Sequence, residues 1–219
     1  KGDYDKMTLY SDSPLSVARD FEEKGAKFIH LVDLDGAKEG KTVNRELFYS
    51  LAKITNVPLE LGGGIRNMET VDAYINGGIS RVILGSAALR DREFLKRAVD
   101  KYGEKIAVGV DILGGKVATH GWLNVSEVDG FEFCEKLDEM GVATVICTDI
   151  SRDGAMKGTN RELYRELSQK YSIDLIASGG VSSLEDVQAL AAMNLHGAII
   201  GKAYYIGAIN LKEAIEVAL

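Results

Sequence analysis

The sequence predicts an α/β protein of the (β/α)8-barrel (TIM-barrel) class, built as one domain over 1–219 from two half-barrel repeats of about 1–104 and 105–219. Three observations predict it. Seven short apolar runs alternate with amphipathic stretches, the mark of βαβ units around a parallel sheet. The chain matches itself at an offset of 116 residues, the distance from Asn44 to Asn160. That shift lays Asn44-Arg45-Glu46-Leu47 on Asn160-Arg161-Glu162-Leu163, Asp33 on Asp149 and Gly63-Gly64 on Gly179-Gly180, with no gap from Gly25 to Ala87. Finally, glycine pairs recur at the carboxyl ends of the predicted strands, where barrels of this class carry their sites.

The elements follow in order. A first helix, about Pro14–Lys24, has no strand before it. The strands are read at Phe28–Leu34, Pro58–Gly62, Arg81–Ser86, Ile106–Ile112, Thr144–Ile150, Asp174–Ser178 and Gly197–Lys202. Each is nearly continuous in hydrophobicity, as strands covered on both faces are. The stretches between them carry helical stripes such as Val71, Tyr74, Ile75 and Leu95, Ala98, Val99, which brings the count to seven strands and eight helices. Asn44, Asn160 and Ser183 stand at helix starts; Gly25, Gly78, Gly103 and Gly141 follow helix ends. The repeat places the mate of strand Ile106–Ile112 upstream of Lys1, so an eighth, first strand is expected there, missing from the present sequence.

Composition narrows the function classes. A hydrophobic content of 46% suits one large core, and a net charge of -7 argues against nucleic acid or an anionic membrane as partner. No run approaches about 18 apolar residues, so no transmembrane helix is expected. Cys134 and Cys147 form no metal-binding spacing with each other or with histidine, and two reduced thiols suit a cytoplasmic protein. The expectation is a monomer with neither metal nor cofactor. Walker and Rossmann glycine motifs are absent.

The strand ends carry the chemistry. Gly63-Gly64 with Gly85-Ser86, and Gly179-Gly180 with Gly201-Lys202, each give two adjacent loops whose bare backbone suits an anion. Such glycines also serve tight strand-to-helix turns. Two copies of the pattern point to a substrate with two phosphates. Asp111 interrupts an apolar strand at its carboxyl end and is the leading acid–base candidate. Thr148 and Asp153 flank Asp149 in Thr148-Asp149-Ile150-Ser151-Arg152-Asp153-Gly154, with Asp153 in a glycine-containing loop. Asp33 and Asp149 form a symmetric pair, suited to orienting loops or substrate hydroxyls. Arg66 suits a phosphate or a surface ion pair. Trp122, the one tryptophan, sits in a loop where it stacks on a ring or covers the core.

Val32-Asp33-Leu34-Asp35-Gly36-Ala37, Gly62-Gly63-Gly64-Ile65-Arg66, Gly121-Trp122 and Cys147 through Gly154 resemble the HisA-type phosphoribosylformimino-AICAR ribotide (ProFAR) isomerases of histidine biosynthesis, as does Gly2-Asp3-Tyr4-Asp5-Lys6. The resemblance implies an aldose–ketose isomerase that performs an Amadori rearrangement on a bisphosphorylated substrate without a cofactor. It assigns the general acid to Asp111, supporting roles to Thr148 and Asp153, and the general base to a first-strand aspartate whose place is upstream of Lys1. Three alternatives stand beside it. They are the cyclase subunit of imidazole glycerol phosphate synthase, a dual-specificity phosphoribosyl isomerase also serving tryptophan biosynthesis, and an inactive phosphosugar-binding fragment. His120 stands two residues before Trp122, where dual-specificity enzymes tend to place arginine.

Overall fold

The computed structural model describes residues 8–11 and 13–219. The expected strand upstream of Lys1 and the Gly2–Lys6 segment lie outside the described residues. The chain forms two compact units, Leu9–Val108 and one that includes Gly109–Leu219. The succession of parallel strands and helices is that of the (β/α)8-barrel class.

In the first unit, β1 (Ile29–Val32), β2 (Leu59–Gly62), β3 (Arg81–Leu84) and the start of β4 (Ile106–Leu113) pair in parallel in that order. Every residue of β2 and β3 is buried, which is why their sequences read as apolar runs rather than alternating ones. The helices are α1 (Pro14–Glu23), α2 (Leu34–Glu39), α3 (Arg45–Ile54), α4 (Met68–Asn76), α5 (Ser86–Arg90) and α6 (Arg92–Tyr102). Ser13 caps α1 ahead of Pro14, whose missing N–H costs nothing at a first helical position. Charged side chains form a row across three strands. His30 Nδ1 lies 2.8 Å from Glu60 Oε1, and Arg81 donates from Nε and Nη2 to Glu60 Oε2 at 2.9 and 2.7 Å. The pairing sets this row, since His30 stands opposite Glu60 and Glu60 opposite Arg81. Burial alone would raise the Glu60 carboxyl, but hydrogen bonds and charge from His30 and Arg81 outweigh it and hold it below the usual range.

In the second unit the end of β4 is followed by β7 (Thr144–Asp149), β8 (Asp174–Ser178) and β9 (Gly197–Ala198), with β7 pairing β8 and β8 pairing β9 in parallel. Its helices are α7 (Gly130–Glu139), α8 (Arg161–Lys170), α9 (Leu184–Ala191), α10 (Lys202–Tyr205) and α11 (Leu211–Val217). Helix α8 buries Tyr164 and Leu167 where α3 buries Phe48 and Leu51, the same two positions of the repeat. Tyr164 Oη reaches the carbonyls of Cys147 and Ser178, tying the ends of β7 and β8 together.

Two differences from the expected element count have physical causes. Among the described residues there are nine strands, not seven, because β5 (Lys116–Thr119) and β6 (Asn124–Asp129) extend β4 as an antiparallel hairpin ribbon. Gly114 and Gly115, both at positive φ, make the two-residue turn from β4 into β5. Among the described residues eleven α-helices replace eight, because the loops after β1, β3 and β9 coil into the short α2, α5 and α10. No helix among the described residues is long and apolar enough to cross a membrane.

Candidate functional site

The carboxyl ends of the second unit's strands gather most of the candidates. Asp111 stands near the end of β4, half-buried between the buried Val110 and Ile112. The adjoining chain is fixed by Ile150 N–H donating to Ile112 O at 3.0 Å. Thr148 and Asp149 close β7, both buried. Asp149 reaches Asn160 at the start of α8, so strand alternation turns Thr148 to the opposite face of the sheet.

A recess opens just beyond these ends. Its walls are Asp153, Gly154 and Met156 from the loop after β7, Ser178 to Val181 from the end of β8, and Ile199 with Gly201 to Ala203 around the start of α10. Its volume is about 60 Å³. At the ~10–15 Å³ one water requires, that is room for a handful of waters or one phosphate-sized group. The recess joins Asp153, Gly179, Gly180, Gly201 and Lys202, five of the residues singled out in the sequence. Lys202 Nζ donates to Gly154 O at 3.0 Å, which ties the α10 start to the loop of Asp153. Burial pushes the Asp153 carboxyl above its usual range, with the Lys202 ammonium acting against that rise. Asp153 is therefore a carboxyl that keeps its proton to higher pH than a solvated aspartate.

The glycine pairs have a structural reason in both units. Gly179 has φ +91°, and a Cβ there would stand 2.7 Å from Asp149 O. Gly180 has φ +81°, and its Cβ would meet Gly158 O at 2.6 Å. In the first unit, Gly63 is pressed against the Asp33 main chain and Gly64 against Gly36 O and Lys41 O, again at positive φ. These four glycines let consecutive loops touch backbone to backbone. Gly85 and Gly201 differ: φ is negative and a Cβ would meet nothing within 4 Å. Each precedes a short helix, with Ser86 opening α5 and Lys202 opening α10. What keeps those two positions bare is not packing.

Asp33 and Asp149 brace loops. Asp33 accepts from Gly36 N–H at 3.0 Å, Val43 N–H at 2.8 Å, Asn44 N–H at 3.1 Å and Asn44 Nδ2 at 2.8 Å. Burial would raise its carboxyl, but these donors outweigh that and hold it low. Asp149 accepts from Ser151 N–H and Oγ at 2.9 and 2.6 Å and from Asn160 Nδ2 at 2.6 Å. Asn160 also caps α8, whereas the Asn44 amide is drawn to Asp33 and Asp35 and leaves α3 without a side-chain cap. The sequence marked both asparagines as caps; their partnership with the aspartates needed coordinates.

Two candidates stand elsewhere. The Arg66 guanidinium lies over Gly40 at the end of α2 in the first unit. Trp122 sits in the turn joining β5 to β6, where His120, Gly121 and Trp122 hold φ of 56°, 60° and 71° in succession. Thr119 Oγ1 and Asn124 Nδ2 both lie 3.2 Å from His120 Nδ1 and fix that turn. A tryptophan at positive φ is strained, and its neighbours must hold it there. Behind the strand ends lie the two cysteines. Burial pushes the Cys134 thiol to about 12 and Cys147 well above its usual value, with Cys134, Asp111 and Asp149 adding to the second.

The comparisons with known proteins agree with one another. The family model described as "Histidine biosynthesis protein" matches residues 1–210. A protein of Clostridium acetobutylicum named 1-(5-phosphoribosyl)-5-((5-phosphoribosylamino)methylideneamino)imidazole-4-carboxamide isomerase is 48% identical over 217 residues, covering 99% of this chain and 91% of that protein. Relatives with the same name in Ruminiclostridium cellulolyticum and Listeria innocua are 47% and 48% identical, covering 98% and 99% of this chain and 91% and 90% of theirs. On this near full-length similarity, the chain belongs to the histidine biosynthesis protein family and, within it, to the ProFAR isomerases.

Proposed function

We propose that this protein isomerises ProFAR to its ribulosyl form by an Amadori rearrangement, with no cofactor, acting as a cytoplasmic monomer. The relatives' shared name supports the reaction. The recess joining Asp153 to Gly179, Gly180, Gly201 and Lys202 is the structural observation that carries it. A phosphate of the substrate sits there on backbone N–H groups, with the Lys202 ammonium close by. Gly63, Gly64, Gly85, Ser86 and Arg66 suit a second phosphate, and Trp122 a ring of the substrate.

Asp111 protonates the furanose ring oxygen. The bond from that oxygen to C1′ breaks and leaves a Schiff base. A second carboxylate, assigned by the resemblance to the first strand, takes the C2′ proton and gives an enolamine. Return of a proton to C1′ and loss of the C2′ hydroxyl proton yield the ketone. Asp153, on the recess wall, and Thr148, at the end of β7, assist from the loop and strand beside Asp149. Asp149 holds the loop from which Asp153 projects, and Asp33 the matching loop of the first half.

Turnover of ProFAR, of its ribulosyl isomer and of phosphoribosylanthranilate by the purified protein tests the reading. Conversion of the first, and its re-formation from the second, is expected. Cleavage of the second in the presence of ammonia would indicate the cyclase, and equal use of the third a dual-specificity enzyme.

A further inference from the structure

Asp186 is a buried acid, 3% exposed, outside the recess. It stands third in α9, behind the cap Ser183, whose Oγ accepts from Asp186 N–H at 3.3 Å. An acid in this place that only closed a capping box would turn back to the cap's own N–H. Asp186 reaches one residue further. Its Oδ2 accepts from both N–H and Oγ of Ser182 at 3.1 Å, and its Oδ1 accepts from Arg161 Nη2 at 2.9 Å. Ser182 Oγ in turn accepts from Gly158 N–H at 3.1 Å. Gly158 closes the loop that carries Asp153, and its carbonyl presses on Gly180. One chain of hydrogen bonds therefore runs from α9 to the junction of the two loops that wall the recess.

The internal repeat supplies a control. In the first half, Asn67 keeps the cap and accepts from Thr70 N–H at 2.9 Å. Thr70 stands where Asp186 stands, Arg66 where Ser182 stands, and Ala37 where Asp153 stands. The helix start is common to both halves. The buried acid and its serine occur only in the half whose loop carries a carboxyl at the Asp153 position. We infer that Asp186 is a positioning residue for the isomerase reaction: through Ser182 it fixes the Asp153 loop against the Gly179-Gly180 turn. This rests on the reading of the recess given above. Displacing a catalytic group by about 1 Å can cost up to ~100-fold in rate, so a loosened loop reads out in turnover.

The test uses Asp186→Ala, Ser182→Ala and Asp186→Asn in the full chain. Each is assayed on ProFAR below its unfolding temperature and followed by amide hydrogen exchange without ligand. Both alanine variants are expected to lower kcat about tenfold with KM within about threefold, and to speed exchange across 150–158. Asp186→Asn keeps an oxygen for Ser182 and should stay within about threefold of the parent kcat. Unchanged kcat in both alanine variants, an Asn variant as damaged as the Ala variant, or unaltered exchange across 150–158 would each overturn the inference. If the parent protein fails to turn over ProFAR, the isomerase reading falls, and the exchange result alone decides whether Asp186 holds the loop.

Discussion

Asp33 and Asp149 occupy equivalent places in the two halves, and each is bound to the asparagine opening α3 or α8, at 2.8 and 2.6 Å. Around that shared brace the halves diverge. Thr148, Asp153, Lys202 and Asp186 stand in the second half where the first has Val32, Ala37, Ser86 and Thr70. The first half places its buried charge instead in the His30–Glu60–Arg81 row. Duplication has kept the groups that hold backbone to backbone, the aspartate, the asparagine and the glycine pair. The residues free to change are those whose side chains leave the scaffold, and among the described residues Thr148, Asp153 and Lys202 have no counterpart of like chemistry in the first half.

The sharpest test is at Asp111, the second half's proposed acid. Asp111→Asn is expected to lower kcat by about 10²–10⁴ while substrate affinity stays within about tenfold. Steady-state kinetics with direct binding measures both, and near-normal turnover would remove Asp111 from the mechanism. The braces come next. Asp33→Ala strips acceptors from three backbone N–H groups and the Asn44 amide, and should destabilise by about 3 kcal/mol. Asp149→Ala leaves fewer donors without their acceptor and should cost about 2 kcal/mol. Urea titration ranks them, and the reverse order would contradict the bond count.

Glycines separate scaffold from binding more finely. Gly179→Ala puts a Cβ against Asp149 O and should lower the melting temperature. Gly201→Ala puts its Cβ in open space, so it should cost less melting temperature than Gly179→Ala and raise KM about tenfold, as expected if that bare backbone serves a phosphate. Equal behaviour of the two variants would remove the distinction.

The smallest effect is in pH. Asp33, Glu60 and Asp186 have lowered carboxyls, so their stabilisation is present above about pH 4 and is lost as acid protonates them. Asp153 is raised, so the folded state holds its proton more tightly. Its contribution is full below about pH 4 and declines as pH rises through its folded value. Asp153→Asn should therefore gain slightly on the parent as pH increases from 4 to 7, measured by thermal melts. A gain in the opposite direction would mean the carboxyl is not buried as described.

Much of this was legible in the chain. Seven strands announced themselves as apolar runs, most clearly β2, β3 and β7, which are buried throughout, and the glycine pairs marked the ends of two of them. The hairpin of β5 and β6 did not. Strand β6 has no buried residue and no apolar run, and the one strong signal, Gly114-Gly115 between Leu113 and Lys116, is a two-residue turn that reads equally as a loop. The recess candidates were found because each lies next to a strand end. Asp186 was not, because it meets Arg161 from 25 residues away and its sequence neighbourhood reads only as a helix cap. Pairings across such distances are set by tertiary packing, which local pattern does not encode.

The two thiols behind the strand ends give the fold a built-in clock. A thiolate is the form that reacts with alkylating reagents, and burial keeps both sulfurs protonated far above neutral pH. Their labelling must therefore wait for the sheet and helix covering them to open. The pace of that reaction would report how often the second unit comes apart.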